Sequence, residues 1–327
     1  MMAPRVRFAA LAAAALVALA AAAPAHAQQG VGVAGGTVLQ LPAGSRAPSF
    51  SGAYSAVTGD ADVLFYNPAG LSSFNAGAAV AFEPLVEGIS FGSAAGSFRV
   101  GRLALGAGIS YLNGGTLPEE TPDPLYGGQR GISTGQTVSA SESAVRLAAA
   151  LPLLNGRLRV GAAGGFVSTA MAGTSSGAPL FDVGAQAAVL PALTVGASLR
   201  NLGGSLGGDS ASYPLPAEAR LGAAYVVAQS RTGLGLTVSA DFVSQLKEHT
   251  SGLVGGLEAG LVPGAGRRYG AVARIGYSGA QGSDGLAPLQ VGGGLTLGAF
   301  ALDYTFQDLK YFGAVHRLGL RWLSPLR

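Results

Sequence analysis

Side chains able to perform covalent catalysis are scarce in this chain of 327 residues. It has no cysteine, which excludes disulfides, thiolate metal sites and cysteine nucleophiles. Beyond residue 27 it has two histidines, His249 and His316, and neither can be assigned a serine and an orienting polar residue, as a barrel phospholipase would require. We therefore expect a protein that is not an enzyme and that has no catalytic residue, metal or cofactor.

The stretch Gly30-Val31-Gly32-Val33-Ala34-Gly35 has the glycine spacing of a dinucleotide-binding loop. Such a loop follows a strand and opens a helix, whereas this one follows a predicted cleavage site. In a chain with 53 glycines the match is expected by chance. The net charge is +3 and the basic residues are scattered, so we expect no nucleic-acid partner.

A set of charged residues occupies alternate positions in segments that are otherwise small or apolar. The set consists of Glu142, Arg146, Arg157, Arg159, Asp182, Arg200, Glu218, Arg220, Asp241, Glu258, Arg274, Asp303, Arg317 and Arg321. These residues could form a polar conduit or an anion-selective patch. Alternatively they form cross-strand ion pairs, Arg200 with Glu218 being one candidate, that stabilise a barrel wall. The nearly balanced signs favour ion pairs.

Residues 1–27 have the layout of a secretory signal peptide. Arg5 and Arg7 precede an apolar run over 8–23, and Ala25-His26-Ala27 places small residues before a cleavage site at Gln28. The alternative is a retained membrane anchor, but the apolar run is shorter than the roughly 20 residues that a spanning helix needs.

The remaining chain is apolar without containing an apolar helix. The whole chain of 327 residues has a positive mean hydropathy, and only 11% of its residues are charged. Beyond residue 27 the apolar residues alternate with small or polar ones, as from Leu234 to Phe242. The alternating segments are longer than the 5 or 6 residues typical of soluble strands. Aromatic residues lie near their ends: Phe98, Tyr111, Phe166, Phe181, Tyr225, Tyr269, Tyr277, Phe306 and Trp322. This pattern predicts a transmembrane β-barrel in a bacterial outer membrane, in contact with its lipid.

Fourteen antiparallel strands are predicted. They cover 78–86, 89–98, 103–112, 136–151, 157–171, 178–190, 193–205, 216–228, 233–246, 249–262, 269–279, 287–297, 299–309 and 313–324. Every second connection is a tight turn, whereas 113–135 and 206–215 are long loops. The sequence therefore predicts an all-β barrel over 77–327 with periplasmic turns, extracellular loops and both termini periplasmic. Gly292-Gly293-Gly294 is the predicted position of a kink in the wall.

Residues 28–76 are apolar but do not alternate. A barrel of fourteen strands has a lumen too wide to be filled by its own side chains. We therefore predict that this segment folds into the lumen as a hatch. The alternative is a periplasmic lead-in strand that packs against nothing.

Three motifs in this segment identify a family. Leu41-Pro42-Ala43-Gly44-Ser45-Arg46-Ala47, Gly52-Ala53-Tyr54-Ser55-Ala56 and Asp60 to Leu71 resemble the N-terminus of the PorV/PorQ family, a branch of the FadL-like (FadL/TodX) outer-membrane barrels. Leu302-Asp303-Tyr304 and His316 to Trp322 are similar to the closing strands of those barrels. Pro48-Ser49-Phe50 and the tail 323–327 depart from the pattern.

Within the third motif, Asn67-Pro68-Ala69-Gly70 is similar to the hatch motif of the superfamily. An asparagine before proline is held extended and favours a turn, and Gly70 can adopt a positive φ. We predict a tight turn here that attaches the hatch to the wall.

The resemblance implies a barrel that binds hydrophobic small molecules or passes them through a hatch-plugged lumen. Some PorV/PorQ members serve the type IX secretion machinery instead, so secretion-machinery proteins are alternative partners. A general polar porin is a third alternative, which the small, glycine- and alanine-lined interior disfavours.

Overall fold

The computed structural model describes residues 34–86, 88–208, 211–228, 233–263, 268–279, 288–309 and 313–324. The predicted signal peptide, its cleavage site and most of the glycine-rich stretch at 30–35 lie outside these residues. Among the described residues, no helix is long and apolar enough to cross a membrane.

Fourteen antiparallel strands form a closed barrel, which confirms the predicted fold class. They are β1 (Ala76–Pro84), β2 (Ser90–Val100), β3 (Leu103–Pro122), β4 (Gly131–Leu153), β5 (Leu158–Met171), β6 (Thr174–Leu190), β7 (Leu193–Gly203), β10 (Glu218–Ala228), β11 (Leu234–Gln245), β12 (Thr250–Leu261), β13 (Tyr269–Ser278), β14 (Leu289–Leu297), β15 (Phe300–Leu309) and β16 (Gly313–Leu323). Each strand pairs with its neighbour in the chain, and β1 closes the barrel against β16 from Gly77↔Leu323 to Phe82↔Leu318. A separate hairpin, β8 (Ser205–Gly208) and β9 (Ala211–Pro214), lies between β7 and β10.

The period of two places apolar side chains on the outside. Val80 and Phe82 of β1 are exposed, whereas Ala79, which precedes Val80 and faces the other side of the sheet, is buried. In β16 Leu318 and Leu320 are exposed and Arg317 is buried. The outer surface is therefore apolar and the inner surface polar or small.

The connections distinguish the two ends of the barrel. The "turn end" holds the start of β1, the end of β16 and short connections such as Gly101-Arg102 and Pro191-Ala192. The "loop end" is the opposite one and holds the longest connections, 123–130, 204–217 and 279–288, together with short ones such as 172–173. Two strands reach well beyond the predicted segments at this end, because β3 and β4 continue as a paired ribbon with two register shifts, between Asn113 and Thr116 and between Pro118 and Glu120.

No register shift occurs at Gly292-Gly293-Gly294, the position named for a kink. Within β14 these glycines pair in continuous register with β13 and with β15. Their small size instead leaves room inside the barrel, since a Cβ on Gly292 would lie 2.7 Å from the Cβ of Ser49 and one on Gly294 would lie 2.6 Å from the guanidinium of Arg274.

Residues 34–75 form a separate segment inside the barrel, which we call the N-terminal segment. It contains one helical turn, α1 (Thr37–Gln40), and three 3-10 helices at Ala47–Phe50, Ala61–Phe65 and Pro68–Ser73. Two of these short helices begin at or beside a proline, which is pre-set for a first helical turn. This segment supplies most of the largest fully buried side chains of the core, among them Phe50, Tyr54, Leu64 and Phe65.

The N-terminal segment runs along the barrel from end to end. Gly35 donates its N–H to the carbonyl oxygen of Pro214 at 2.9 Å, beside the β8–β9 hairpin at the loop end. The segment then reaches β1, which begins at Ala76 at the turn end. The first described residues therefore lie at the loop end, whereas the N-terminus itself, for which a periplasmic position is predicted, lies outside the described residues.

Candidate functional site

The inner wall carries most of the charged residues selected from the sequence. Arg146, Asp182, Arg200, Glu218, Asp241, Glu258, Arg274, Asp303, Arg317 and Arg321 are buried. Arg220 is also largely covered, with 10% of its side chain exposed. They are buried because the N-terminal segment fills the space that these side chains face.

Three of the selected residues lie nearer the barrel ends. Arg157 is exposed and lies in the turn before β5, so its assignment to the lumen is wrong: β5 begins one residue later, at Leu158. Arg159 is half-buried near the same end. Glu142, at the loop-end part of β4, accepts a hydrogen bond from the backbone N–H of Val38 at 2.7 Å.

A first group of ion pairs lies on β7, β10 and β11. Glu218 pairs with Arg200 at 3.0 Å, as the sequence suggested, and also with Arg220. Both guanidinium groups lie over the ring of Tyr66, at 5.1 and 5.6 Å from its centre. Asp241 accepts hydrogen bonds from the backbone N–H groups of Tyr54 at 3.1 Å and Ser55 at 2.9 Å. These strands therefore hold the middle of the N-terminal segment.

A bulge between β6 and β7 is closed by side chains. The register shifts by one residue between Phe181 and Val183. Asp182 accepts the backbone N–H of Asn201 at 2.6 Å and the Nε of Arg146 at 2.8 Å, and the same arginine donates to the side-chain oxygen of Asn201 at 2.7 Å. The groups left without ladder partners are therefore hydrogen-bonded within the wall.

A second group of ion pairs lies on β12, β13, β15 and β16. Arg274 joins Glu258 at 2.6 Å to Asp303 at 2.7 Å, and Asp303 in turn pairs with Arg321. Arg46, which was not among the charged residues selected from the sequence, joins the N-terminal segment to this group through Glu258. The charges form a continuous buried network, so removing one member takes a partner from each of its neighbours.

Asp60 and Asp62 lie inside the N-terminal segment against this second group. The carboxylate of Asp60 accepts from Tyr54 Oη at 2.6 Å and Arg46 Nη1 at 3.1 Å. Asp62 accepts the backbone N–H groups of Ser45 at 2.7 Å and Arg46 at 2.8 Å. Burial, followed by the nearby charge of Asp60, raises the pKa of Asp62 to about 6.

Asn67 is the most highly connected side chain of the predicted hatch motif. Its Nδ2 donates to the carbonyl oxygens of Ser55 at 2.7 Å and of Ala185 in β6 at 3.0 Å. Its Oδ1 accepts the N–H of Ala69 at 3.1 Å and so caps the 3-10 helix that starts at Pro68. Asn67 is extended, as its position before proline predicts, with φ −154°.

Gly70 does not have the positive φ that the motif suggested. It is required for space, because a Cβ there would lie 2.9 Å from the Cβ of Val63. All four residues of the motif are buried.

Glycines on the inner wall let the N-terminal segment come into backbone contact with the strands. A Cβ on Gly161 of β5 would lie 2.5 Å from the N of Ala69, and one on Gly256 of β12 would lie 2.6 Å from the Cα of Phe50. A Cβ on Gly196 of β7 would overlap the carbonyl of Ser55. Real Cβ atoms do not approach other atoms so closely, so each of these positions fixes the distance between wall and segment.

A cavity of about 470 Å³, which we call the chamber, lies between the N-terminal segment and the loop-end parts of the surrounding strands. Its apolar lining comes from the segment, from the β1–β2 connection and from the wall, and includes Leu39, Leu41, Leu85, Ile89, Val243 and Val254. Its size lies within the range of small-molecule sites. The geometry thus provides a largely apolar binding space that the N-terminal segment bounds on the side facing the turn end.

Several residues of the chamber were missed by the sequence analysis. Glu83 pairs with Arg317, and Gln245 donates to Glu218 at 2.8 Å. The alternation along β1 could have assigned Glu83 to the inner face, since Val80 and Phe82, at even-numbered positions, face outwards. Gln290 and Gln307, which line the chamber from β14 and β15, are uncharged and were not selected for that reason.

The described residues contain no group of three or more acidic or histidine side chains placed to hold a metal ion. His316 lies on the outer face of β16, where its Nδ1 is 2.7 Å from the hydroxyl of Tyr304.

Neither protein-family models nor curated protein sequences include a match to this chain. Solved structures do match it. The Ralstonia pickettii toluene transporter TbuX superposes with a TM-score of 0.57 at 16% identity, over 87% of this chain and 99% of the transporter. The deltaS2S3 mutant of the monoaromatic hydrocarbon channel TodX superposes with a TM-score of 0.55 at 11% identity, over 83% and 96%. At these identities the similarity establishes a shared barrel fold.

Proposed function

We propose that this chain is a FadL-like outer-membrane barrel that binds hydrophobic small molecules in the chamber and passes them through a lumen plugged by its N-terminal segment. The observation that carries the proposal is the chamber itself: an apolar space at the loop end, floored by a segment that fills the lumen below it. The fold shared with TbuX and TodX, which are named as a toluene transporter and a monoaromatic hydrocarbon channel, supports this substrate class.

The outer surface supports a location in the outer membrane. Phe82, Leu147, Leu221 and Leu295 are each more than half exposed, and they lie on strands distributed around the barrel. A continuous apolar belt of this kind is unfavourable in water and favourable in lipid. The predicted signal peptide over 1–27 would supply the export that this location requires.

The contacts of the N-terminal segment support its role as a hatch. A polar porin needs an open lumen with accessible charges, whereas the wall charges here pair with each other and with the segment, as in Arg46 with Glu258 and Asp241 with Ser55. A lead-in strand that packs against nothing is inconsistent with the burial of Phe50 and Tyr54. The accessory role in protein secretion remains an alternative from the sequence resemblance, and no contact in the described part of the chain favours it.

The proposal is tested by binding and by conductance. Purified protein in lipid nanodiscs should bind naphthalene, measured by equilibrium dialysis, and Val254→Trp, which fills the chamber, should weaken binding about tenfold or more. Val291→Trp is the matched control, because Val291 faces outwards and is 45% exposed. Deleting 28–76 should raise the conductance of planar bilayers. Naphthalene binding that is absent, or equal in the two tryptophan variants, would contradict the proposal.

A further inference from the structure

The chamber has an uncharged polar region where β14 and β15 face the N-terminal segment. Gln290 is only 6% exposed and lines the chamber, and its Oε1 has no hydrogen-bond partner among the described residues. A buried carboxamide oxygen without a partner is costly to the folded chain. Such an atom in a ligand cavity marks a place where a ligand can supply the missing donor.

Ser51 places a second unpartnered atom beside Gln290. Gln290 is the cross-strand partner of Gly276, and a Cβ on Gly276 would lie 2.6 Å from the Oγ of Ser51. This Oγ is buried and also has no partner among the described residues. Gln307, the partner of Gln290 on its other side, lines the chamber as well. Ser51, Gln290 and Gln307 therefore form one polar row next to the apolar lining, and we call it the amide row.

The charged side chains that line the chamber are all paired. Glu83 pairs with Arg317, and Arg200 and Arg220 both pair with Glu218. A ligand carboxylate would have to compete with these pairs for a guanidinium, whereas a neutral hydroxyl meets unpartnered groups at the amide row. Among the described charged side chains that line the chamber, Arg200 alone has a buried nitrogen, its Nε, without a hydrogen-bond partner.

We infer that the amide row recognises an uncharged hydrogen-bonding group, a hydroxyl above all, on an otherwise apolar ligand. The hydroxyl donates to Gln290 Oε1 and accepts from Ser51 Oγ, while the apolar body contacts Val243, Val254 and Leu41. The inference rests on the proposed function, since it assigns the substrate class of the same chamber: phenols and long-chain alcohols rather than pure hydrocarbons or carboxylates.

The experiment compares three probes with one apolar body. Naphthalene, 2-naphthol and 2-naphthoate are bound at pH 7.5 to the full-length protein in nanodiscs, and partitioning into protein-free nanodiscs is subtracted. We expect 2-naphthol to bind about three- to tenfold more tightly than naphthalene, the range of a net neutral hydrogen bond, and more tightly than 2-naphthoate. Gln290→Leu and Ser51→Ala should each reduce the ratio of the affinity for 2-naphthol to the affinity for naphthalene towards one. Gln136→Leu, an exposed residue on the β4 ribbon, is the matched control.

The outcomes separate the two proposals. If naphthalene and 2-naphthol bind equally, or if Gln290→Leu retains the preference, the inference is overturned while the chamber remains a hydrophobic site. If 2-naphthoate binds most tightly and loses its advantage in Arg200→Gln, the chamber selects anions and the inference is overturned in their favour. If none of the three binds, the proposed function itself fails. A heat-dependent shift on gel electrophoresis verifies that each variant is folded.

Discussion

Arg46 of the N-terminal segment forms two parallel hydrogen bonds to Glu258 of β12, from Nη2 to Oε1 at 2.6 Å and from Nε to Oε2 at 3.0 Å. The two residues are 212 positions apart in the chain. A bidentate pair fixes orientation as well as distance, and this one is shielded from water. It therefore fixes the first half of the N-terminal segment against β12.

Glu258→Gln should destabilise the folded barrel by about 3–5 kcal/mol, the usual effect of removing one partner from a buried pair. The reason is that two arginines, Arg46 and Arg274, lose their shared carboxylate. Urea unfolding in detergent, followed by the heat-modifiable gel shift, measures the change. Glu119→Gln on the exposed ribbon is the control, and a loss equal to that of the control would show that the pair contributes nothing.

Asn67→Ala should loosen the segment from the wall. It removes the donor to Ala185 and leaves the N–H of Ala69 and the carbonyl oxygen of Ser55 without this partner. Each buried group left unsatisfied costs about 1–3 kcal/mol. We expect brief open events in single-channel recordings that wild type lacks. Asn155→Gly, in an exposed turn with a positive φ that glycine accepts, should leave the recordings silent. Identical recordings from both variants would show that Asn67 does not hold the N-terminal segment against the wall.

The strands could be predicted because the alternation of β11 or β16 records directly which face meets lipid. The ribbon of β3 and β4 could not, because it extends past the apolar belt and residues such as Pro118 and Glu120 have no reason to alternate there. The lumen side of Arg274 followed from parity. Its ion-pair partners could not be predicted, because the alternation shows which side of the wall a residue faces but not its position along the barrel axis. The Arg46–Glu258 contact also depends on how the non-alternating segment folds.

Neighbouring glycines in β12 allow a matched test of how closely the segment must approach the wall. Gly256 faces inwards, and an added Cβ would lie 2.5 Å from Cδ1 and 2.6 Å from Cα of Phe50. Gly255 has only the carbonyl oxygen of Ser239 nearby, at 3.4 Å. Gly256→Ala should destabilise the barrel by about 1–3 kcal/mol, as overpacking does, and increase cleavage of the segment by added protease. Gly255→Ala should resemble wild type in both measurements. Equal protection of the two variants would mean that Phe50 is free to move away.

Asp62, in the N-terminal segment, should make the unfolding free energy of the protein depend on pH. Burial, and then the charge of Asp60, raise the pKa of Asp62 from 3.8 to about 6. A carboxyl whose pKa is higher in the folded chain binds its proton more tightly there, so its stabilising contribution is complete below about pH 4 and is lost as the pH rises through 6. The span corresponds to about 3 kcal/mol.

Asp62→Asn does not titrate and can still accept from Ser45 and Arg46 through its carboxamide oxygen. Relative to this variant, wild type should lose about 2 kcal/mol of unfolding free energy between pH 4 and pH 7, since the unfolded carboxyl is already partly ionised at pH 4. The single tryptophan, Trp322, reports urea unfolding at each pH. Asp308→Asn, which changes an exposed aspartate near the loop end of β15, controls for the charge removed. If the difference in unfolding free energy between wild type and Asp62→Asn stays constant from pH 4 to pH 7, Asp62 is ionised throughout and the prediction is wrong. Arg46 and Arg321, which pair with Asp60, would then balance the charge of both carboxylates.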